Sequence, residues 1–151
     1  MPRLSFDALR LGQRFRGPGR TLTETDHTLF SMLVADWHPI HADAEYAKQT
    51  PAGARMIHGS FGLALAMAGT ASILDFEEPV VAALGIDEWR FLRPLLIGDT
   101  VRVEVEVLDT RRTEKTGRLL VDRMTRLLNQ RDETVQEGRS TVMLRPAREA
   151  E

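Results

Sequence analysis

The stretch of this chain that most limits its fold is residues 60–74, which read SFGLALAMAGTASIL. It carries no charged side chain and is rich in alanine and glycine. A helix that is apolar on every side is expected to be buried on every side. The stretch is shorter than the roughly 20 residues that span a bilayer. We therefore predict a buried central helix whose small residues let a sheet approach closely.

The residues after this helix have the pattern of strands. Val101, Val103, Val105 and Val107 alternate with charged residues, which is typical of a strand with one buried face. Three more strands are predicted over residues 85–92, 118–128 and 134–144, with polar turns at 113–117 and 130–132. Short turns between consecutive strands imply antiparallel pairing.

A strand and a helix are predicted near the start of the chain. Residues 11–22 resemble a strand interrupted by a turn at 17–19. Thr23 is a candidate N-cap, and Asp26 completes a capping box. The helix should end near residue 36, with His27 solvated at its polar start. Its core-facing side is predicted to consist of Leu29, Phe30, Leu33 and Val34.

The order of elements is therefore strand, helices, central helix and four strands. The simplest architecture that buries the central helix wraps an antiparallel sheet around it, which is an α+β fold. A length of 151 residues suits one domain over 1–151. Residues 147–151 are predicted to form a flexible tail.

Composition excludes several classes of function. The chain has no cysteine, so it has no disulfide, thiolate nucleophile or zinc–cysteine site. Its net charge is −2 and its basic residues form no long run, which argues against a nucleic-acid binder. The first residues lack the apolar run of a signal peptide. We predict a cytoplasmic protein with no membrane partner.

Chemistry is concentrated in residues 36–43, which read DWHPIHAD. Pro39 has no N–H and disfavours helical geometry at the residue before it, so the cluster is expected on a stiff, irregular loop. Asp36 and His41 are a carboxylate and an imidazole, which can divide acid and base roles. The alternative is that Asp36 caps a helix and His41 is a packed loop histidine. Asp43 is predicted to cap a short helix over 44–47.

A second candidate site is His58-Gly59-Ser60, directly before the central helix. A helix N-terminus presents free N–H groups and partial positive charge. A glycine there lets a ligand approach the backbone. Such a site suits an oxyanion, for example the enolate oxygen of a thioester. The alternative is that Ser60 is an N-cap and Gly59 a turn residue.

The sequence also contains residues suited to two other kinds of site, a metal site and a serine hydrolase triad. Metal ligands are available at Asp36, His38, His41, Asp43 and His58. Because Pro39 prevents one continuous helix through both loop histidines, we predict no metal site. A serine hydrolase triad is also not predicted, since Ser60 lies in no Gly-x-Ser-x-Gly elbow.

Residues 36–43 resemble the hydratase motif of MaoC-like dehydratases and (R)-specific enoyl-CoA hydratases, Asp-x-Asn-Pro-(Leu/Ile/Val)-His-x-(Asp/Asn). Residues 57–59, IHG, followed by an apolar helix, are similar to the second landmark of that family. Residues 91–100, FLRPLLIGDT, look like its usual entry to the next strand. The resemblance covers nearly the whole chain, and it implies the hot-dog fold, a long helix wrapped by an antiparallel sheet.

The resemblance also implies an activity, the reversible hydration of a trans-2-enoyl thioester of coenzyme A to a 3-hydroxyacyl thioester. Asp36 and His41 match the catalytic pair: His41 would take a proton from water, and Asp36 would orient the water and protonate the α-carbon. The N–H of Gly59 would bind the thioester oxygen, with His58, Ser60 and His38 around the substrate. No cofactor is implied beyond the coenzyme A of the substrate. A homodimer is expected, or a higher assembly of dimers.

Two positions depart from the family pattern. His38 stands where the motif has asparagine, and Ala64 stands where some hydratases have serine in a His-Gly-x-x-x-x-Ser pattern. These departures keep two alternatives open, an acyl-CoA thioesterase and a non-catalytic acyl-thioester-binding protein, because fold does not fix function.

Side chains that would contact the rest of the substrate are less distinct. An acyl tunnel has candidates in Phe61, Leu63, Met67, Trp37 and Trp89, although ordinary core packing is the favoured role for each. The phosphates of coenzyme A have candidates in Lys48, Arg55, Arg90 and Arg93.

Overall fold

The structure is a computed structural model that describes residues 3–146. The predicted tail at 147–151 lies outside the described residues. After a short 3₁₀ turn at Phe6–Ala8, two short strands flank the predicted turn at 17–19: β1 (Arg14–Arg16) and β2 (Arg20–Thr21). Helix α1 (Glu24–Val34) follows, then two short helices, α2 (Pro39–Ala42) and α3 (Ala44–Lys48). The central helix is α4 (Gly59–Ile73).

Four long strands complete the chain, as predicted: β3 (Val80–Phe91), β4 (Thr100–Arg112), β5 (Leu119–Leu128) and β6 (Thr134–Leu144). Their order in the sheet is β1-β4-β5-β6-β3, and β2 also pairs with β4. All of these pairings are antiparallel. Strand β3 is longer than predicted and lies at one edge of the sheet.

The core lies between α4 and one face of the sheet. The four alternating valines of β4 are all buried, as the pattern predicted. The helix sits very close to the strands, because a Cβ atom on Gly62 would overlap Gln136, and one on Gly69 would overlap Val103. Glycine is therefore required at both positions by contact rather than by backbone angle.

The prediction that α4 is buried on every side was wrong. Only Gly62, Ala66 and Thr70 are buried, and they form one stripe that faces the sheet. Ser60, Ala64 and Ala68 are exposed on the opposite side. The reason is that a single sheet covers one side of a helix only. The uncovered side has small uncharged residues, which its sequence pattern could not distinguish from a buried face.

The predicted inner face of α1 was also wrong. Leu29, Leu33 and Val34 are exposed and only Phe30 is partly buried, whereas His27 and Ser31 face inward. His27 is 3% exposed rather than solvated. Its Nε2 forms a hydrogen bond with the carbonyl oxygen of His41 at 2.9 Å. The orientation of the helix is therefore set by contacts with residues 36–43, and not by its apolar side chains. The capping box of Thr23 and Asp26 is confirmed.

An ion-pair network covers the outer face of the sheet. Arg126 donates to Glu106 at 2.8 Å and to Glu137 at 3.3 Å. Arg14 lies 3.1 Å from Glu106. The hydrogen bond from Arg126, followed by the charge of Arg14, holds the pKa of Glu106 below its ordinary value. Within residues 3–146, no helix has the length and apolar character needed to cross a membrane.

Candidate active site

The site begins where α1 ends. Ala35 adopts the left-handed conformation, with φ of 54°, and this stops the helix and turns the chain away. Asp36 follows on an irregular segment, and its Oδ1 accepts the N–H of His38 at 3.1 Å. That hydrogen bond, supported by the nearby imidazoles of His41 and His58, lowers the pKa of Asp36. Asp36 is therefore a carboxylate at neutral pH.

Pro39 does not keep the loop entirely irregular, since it is the first residue of α2. This helix carries His41, whose Nδ1 lies 2.7 Å from the carbonyl oxygen of Met56. A carbonyl oxygen only accepts, so Nδ1 carries the hydrogen. When the ring is neutral, its Nε2 is then an acceptor. That nitrogen lies 3.9 Å from Oδ2 of Asp36.

His58 joins this pair from the start of α4. Its ring stacks on that of His41 with 3.9 Å between centroids. Its Nε2 donates to the carbonyl oxygen of Asp36 at 3.1 Å and lies 3.7 Å from Oδ2 of the same residue. The ring of His27 is 5.4 Å away. Buried histidines thus pack behind Asp36 and His41. No motif in the sequence marks His27 as one of them.

His38 occupies the N-cap of α2. Its Nδ1 accepts the N–H of Ile40 at 3.3 Å. Nδ1 of histidine and Oδ1 of asparagine are each attached to the γ-carbon, so both can reach the same backbone donor. The departure from the family asparagine therefore preserves the cap. Asp43 caps α3, as predicted, by accepting from Glu45 and Tyr46.

Gly59 and Ser60 are the first residues of α4, so their N–H groups have no acceptor within the helix. The N-cap position belongs to His58, and Ser60 is exposed, which corrects the alternative that Ser60 is the cap. A Cβ on Gly59 would lie 2.7 Å from the ring of Phe91. His41 and Gly59 line one cavity of about 570 Å³.

Gln136 is a residue of this cavity that sequence reasoning missed. It is 2% exposed, and its Nε2 donates to the carbonyl oxygen of Gly59 at 3.2 Å. Its Oε1 accepts from the indole nitrogen of Trp89, also at 3.2 Å. Trp89 thus forms a hydrogen bond in addition to its packing against the core. No local motif marks Gln136, because it lies 77 residues from Gly59 in the chain.

The same side chains can hold a cation. One ligand atom from each of Asp36, His41 and His58 lies within 4.8 Å of the others. Carboxylate oxygen and imidazole nitrogen are ordinary ligands of transition metals. The sequence-based prediction of no metal site stays a prediction.

Most of the basic side chains that are candidates to bind coenzyme A already have partners within the protein. Arg55 pairs with Glu24 at 2.8 Å, and Lys48 pairs with Glu45 at 2.6 Å. Arg93 donates to the carbonyl oxygen of Thr134 at 2.6 Å. Trp37 is exposed, whereas Phe61, Leu63 and Met67 are partly buried along α4.

The antiparallel sheet packed on one long helix defines a hot-dog domain. A Mycobacterium tuberculosis protein described as a double hotdog fold superposes with a TM-score of 0.79 at 20% identity, over 99% of this chain and 46% of that one. The model of the MaoC-like domain matches residues 7–125. The chain belongs to the MaoC-like domain family.

Individual relatives agree with this assignment. The chain is 30% identical to a 3-hydroxybutyryl-CoA dehydratase from Methylorubrum extorquens over 133 residues, which is 87% of this chain and 79% of that protein. It is 34% identical over 101 residues to Protein MaoC of Klebsiella aerogenes, covering 66% of this chain. That alignment covers only 29% of Protein MaoC, so the chain spans less than a third of this relative.

Two solved structures are similar over nearly their whole length. An Archaeoglobus protein described as a monoamine oxidase regulatory protein has a TM-score of 0.84 and 31% identity, over 96% of both chains. The R-hydratase PhaJ1 of Pseudomonas aeruginosa, without ligand, has a TM-score of 0.75 and 31% identity, over 97% of this chain and 91% of that one.

Proposed function

We propose that this protein hydrates a trans-2-enoyl thioester of coenzyme A, reversibly, to a 3-hydroxyacyl thioester. The observation that carries the proposal is the separation of 3.9 Å between Nε2 of His41 and Oδ2 of Asp36, together with the cavity that His41 and Gly59 both line. A water molecule can bond both atoms at once, since each contact needs only about 2.8 Å. The relatives named as a dehydratase and as an R-hydratase support the reaction class.

The oxyanion site would be the start of α4. As water adds to the β-carbon, the electrons of the C=C bond move toward the thioester carbonyl. The oxygen that gains charge would accept the N–H of Gly59, which has no acceptor within the helix. Gln136 fixes the other side of the same residue through its carbonyl oxygen.

The lowered pKa of Asp36 bears on how the proton moves. A residue that rests as a carboxylate is not a ready proton donor, whereas the resemblance to the family assigned the α-carbon proton to Asp36. We therefore assign both transfers to His41. Its Nε2 takes one proton from water as hydroxide adds to the β-carbon, and it then returns a proton to the α-carbon. Asp36 would orient the water and stabilise the imidazolium between the two transfers.

The thioesterase alternative requires the same oxyanion site and the same water. It differs in that water must attack the carbonyl carbon rather than the β-carbon. The paired carboxylate and imidazole of the motif favour hydration. The non-catalytic alternative has its own support, because one similar structure is described as a regulatory protein.

One assay separates the three functions. Crotonyl-CoA is incubated with the protein while loss of the enoyl absorbance and release of free thiol are followed together. Hydration without thiol supports the proposal, and thiol release without hydration contradicts it in favour of a thioesterase. Binding of crotonyl-CoA with neither reaction would establish the non-catalytic function instead.

The same proposal includes a homodimer, in the cytoplasm, that uses no cofactor beyond the coenzyme A of its substrate. The dimer is supported by the edge strand β3, where Val80, Val81, Leu84 and Ile86 are exposed. A long apolar edge with unpaired backbone groups is a template for pairing with another strand. Light scattering of the purified protein measures the assembly directly.

A further inference from the structure

A second cavity, of about 650 Å³, lies farther along α4. Its walls come from the last turns of α4, the first half of β3 and the inner faces of β5 and β6. Most of the side chains around it are apolar or carry a hydroxyl; they include Met67, Thr70, Leu84, Ile86, Ser140 and Val142. Asp36 and His41 do not line it.

Arg123 is the unexpected side chain in this wall. It lies in the middle of β5, paired with Ser140, and its neighbours on the same face, Val121 and Thr125, are fully buried. Arg123 itself is only 6% exposed. Lysine and arginine are almost never buried to this degree unless they are paired.

Nothing in residues 3–146 pairs with this guanidinium. Its Nε is buried without a hydrogen-bond partner, and none of the ion pairs of the described residues includes Arg123. Burial alone lowers its pKa to about 10, so the group still carries its charge at neutral pH. The wall therefore contains a buried and uncompensated positive charge.

The other charged groups around the cavity are already engaged. The carboxylate of Glu78 accepts the N–H of Phe6 at 3.1 and 3.2 Å. Arg3 donates to the carbonyl oxygen of Phe76 and lies 3.6 Å from Asp75. Neither acidic residue lies within 4.0 Å of Arg123, so no carboxylate of residues 3–146 neutralises the guanidinium.

We propose that this cavity binds a carboxylate carried on an apolar chain, with Arg123 as the group that binds the carboxylate. A guanidinium can hold both oxygens of a carboxylate at once. The apolar wall would take the chain. The Ser140 hydroxyl, which lies opposite Arg123 in the strand pair and 3.5 Å from the Thr125 hydroxyl, would be a second donor. An apolar ligand without the anion would leave the buried charge uncompensated, which is unfavourable.

Two sources of this carboxylate are possible, and the first rests on the proposed function. Gly59 and Met67 are two turns apart on one side of α4, about 12 Å along the helix axis. A thioester at Gly59 whose acyl chain ends in a second carboxylate would have to extend over at least this distance to enter the cavity that Arg123 lines. The second source is a separate carboxylate ligand, such as a free fatty acid.

Binding of octanoate tests the shared chemistry without any turnover. Calorimetry is carried out on the wild type, Arg123→Met and Arg139→Met, with octanamide as the neutral probe. Arg139 is the matched control, because it is an exposed arginine on the outer face of β6. Octanoate should bind to the wild type and to Arg139→Met, and at least tenfold more weakly to Arg123→Met. Octanamide should lose no affinity in Arg123→Met, because it has no charge for the guanidinium to pair with.

The proposal is overturned if octanoate fails to bind at millimolar concentration, or if Arg123→Met binds it as tightly as the wild type does. Circular dichroism confirms that each variant is folded. Because calorimetry needs no reaction, these outcomes are independent of crotonyl-CoA hydration, which tests the proposed function separately.

Steady-state kinetics then distinguish the sources. Two 2-enoyl-CoA substrates of equal length are compared, one ending in a carboxylate and one in a methyl group. If the substrate supplies the anion, the wild type should prefer the carboxylate by tenfold or more in kcat/KM, and Arg123→Met should lose the preference. Equal kcat/KM values, together with Arg123-dependent binding of octanoate, assign the cavity to a separate carboxylate ligand.

Discussion

The side chain of Gln136 on β6 forms a hydrogen bond with the main chain of Gly59, the first residue of α4. Its Nε2 donates to the carbonyl oxygen of Gly59 at 3.2 Å. The other end of the same amide accepts from Trp89. One fully buried side chain thus connects the sheet, the edge strand and the proposed oxyanion site.

The first prediction follows from this contact. In Gln136→Glu the acceptor for Trp89 remains, but the donor to Gly59 is replaced by an oxygen. We expect kcat for crotonyl-CoA hydration to fall at least tenfold with a smaller change in KM, since the N–H that stabilises the transition state is displaced. Gln136→Met, which also leaves the Trp89 N–H without its acceptor, should lower the free energy of unfolding by about 1–3 kcal/mol. An unchanged kcat in Gln136→Glu would remove Gln136 from the site.

Asp36 and His41 are predicted to carry the reaction. Asp36→Asn and His41→Ala should each lower kcat by about a hundredfold or more, because general acid–base groups contribute on this scale. Far-UV circular dichroism and thermal unfolding serve as the check on folding. Asp43→Asn is the matched control: it lies in the same segment, and asparagine also caps helices. A variant of Asp36 or His41 with near-normal turnover would exclude that residue from the mechanism.

His38 is predicted to be replaceable by the asparagine of the family motif. His38→Asn should keep the cap on Ile40 and therefore keep activity within a few-fold of the wild type. His38→Ala removes the cap and should lower the free energy of unfolding by about 1 kcal/mol. Urea denaturation and crotonyl-CoA kinetics on both variants measure the two effects. If His38→Asn lost activity while remaining stable, the imidazole itself would be needed.

Acid is predicted to destabilise the fold through the outer-face network. The folded-state pKa of Glu106 lies below its ordinary value of 4.5, first because of the hydrogen bond from Arg126. The stabilisation is therefore present above about pH 5 and is lost as pH falls through the folded pKa. Urea denaturation from pH 7 to pH 3 should show the free energy of unfolding falling at the acidic end. Glu106→Gln should flatten this fall, whereas Glu114→Gln, at an exposed turn, should not.

Arg123→Met is predicted to stabilise the protein. It replaces a buried, unpaired charge by an apolar side chain of similar length, and the surrounding wall is mostly apolar. The free energy of unfolding should rise by about 1 kcal/mol or more in the absence of ligand. Most substitutions of buried residues have the opposite sign. A loss of stability in urea denaturation would show that the guanidinium has a structural role instead.

The sequence predicts the elements of this fold better than it predicts which of their faces is buried. Alternating valines and a long uncharged stretch identify β4 and α4 because burial requires those patterns. On β6 the polar or small residues Gln136, Gly138 and Ser140 are buried, although an alternation rule would place them in solvent. Gln136 lines the cavity with Gly59 and Ser140 lines the cavity with Arg123, so apolar packing is interrupted at both.

The sequence likewise identifies some residues of the candidate site and not others. Asp36 and His41 can be identified because they lie in one short segment with a distinctive spacing. His27 joins that segment, and Gln136 joins Gly59, only through tertiary contacts. The distances are 2.9 Å to the carbonyl oxygen of His41 and 3.2 Å to that of Gly59. Neither has a sequence neighbour that marks it, so a single sequence has no signal from which to find them.

The close contacts of Gly62 and Gly69 with the sheet fix the position of α4 on the strands. A rotation that turned a residue with a Cβ toward the sheet at either position would bring it against Gln136 or Val103. The close contact of α4 with the sheet therefore determines the distance between Gly59 and the wall around Arg123. A relative that binds a longer or shorter ligand would therefore differ in the side chains of the cavity walls, while α4 keeps its position on the sheet.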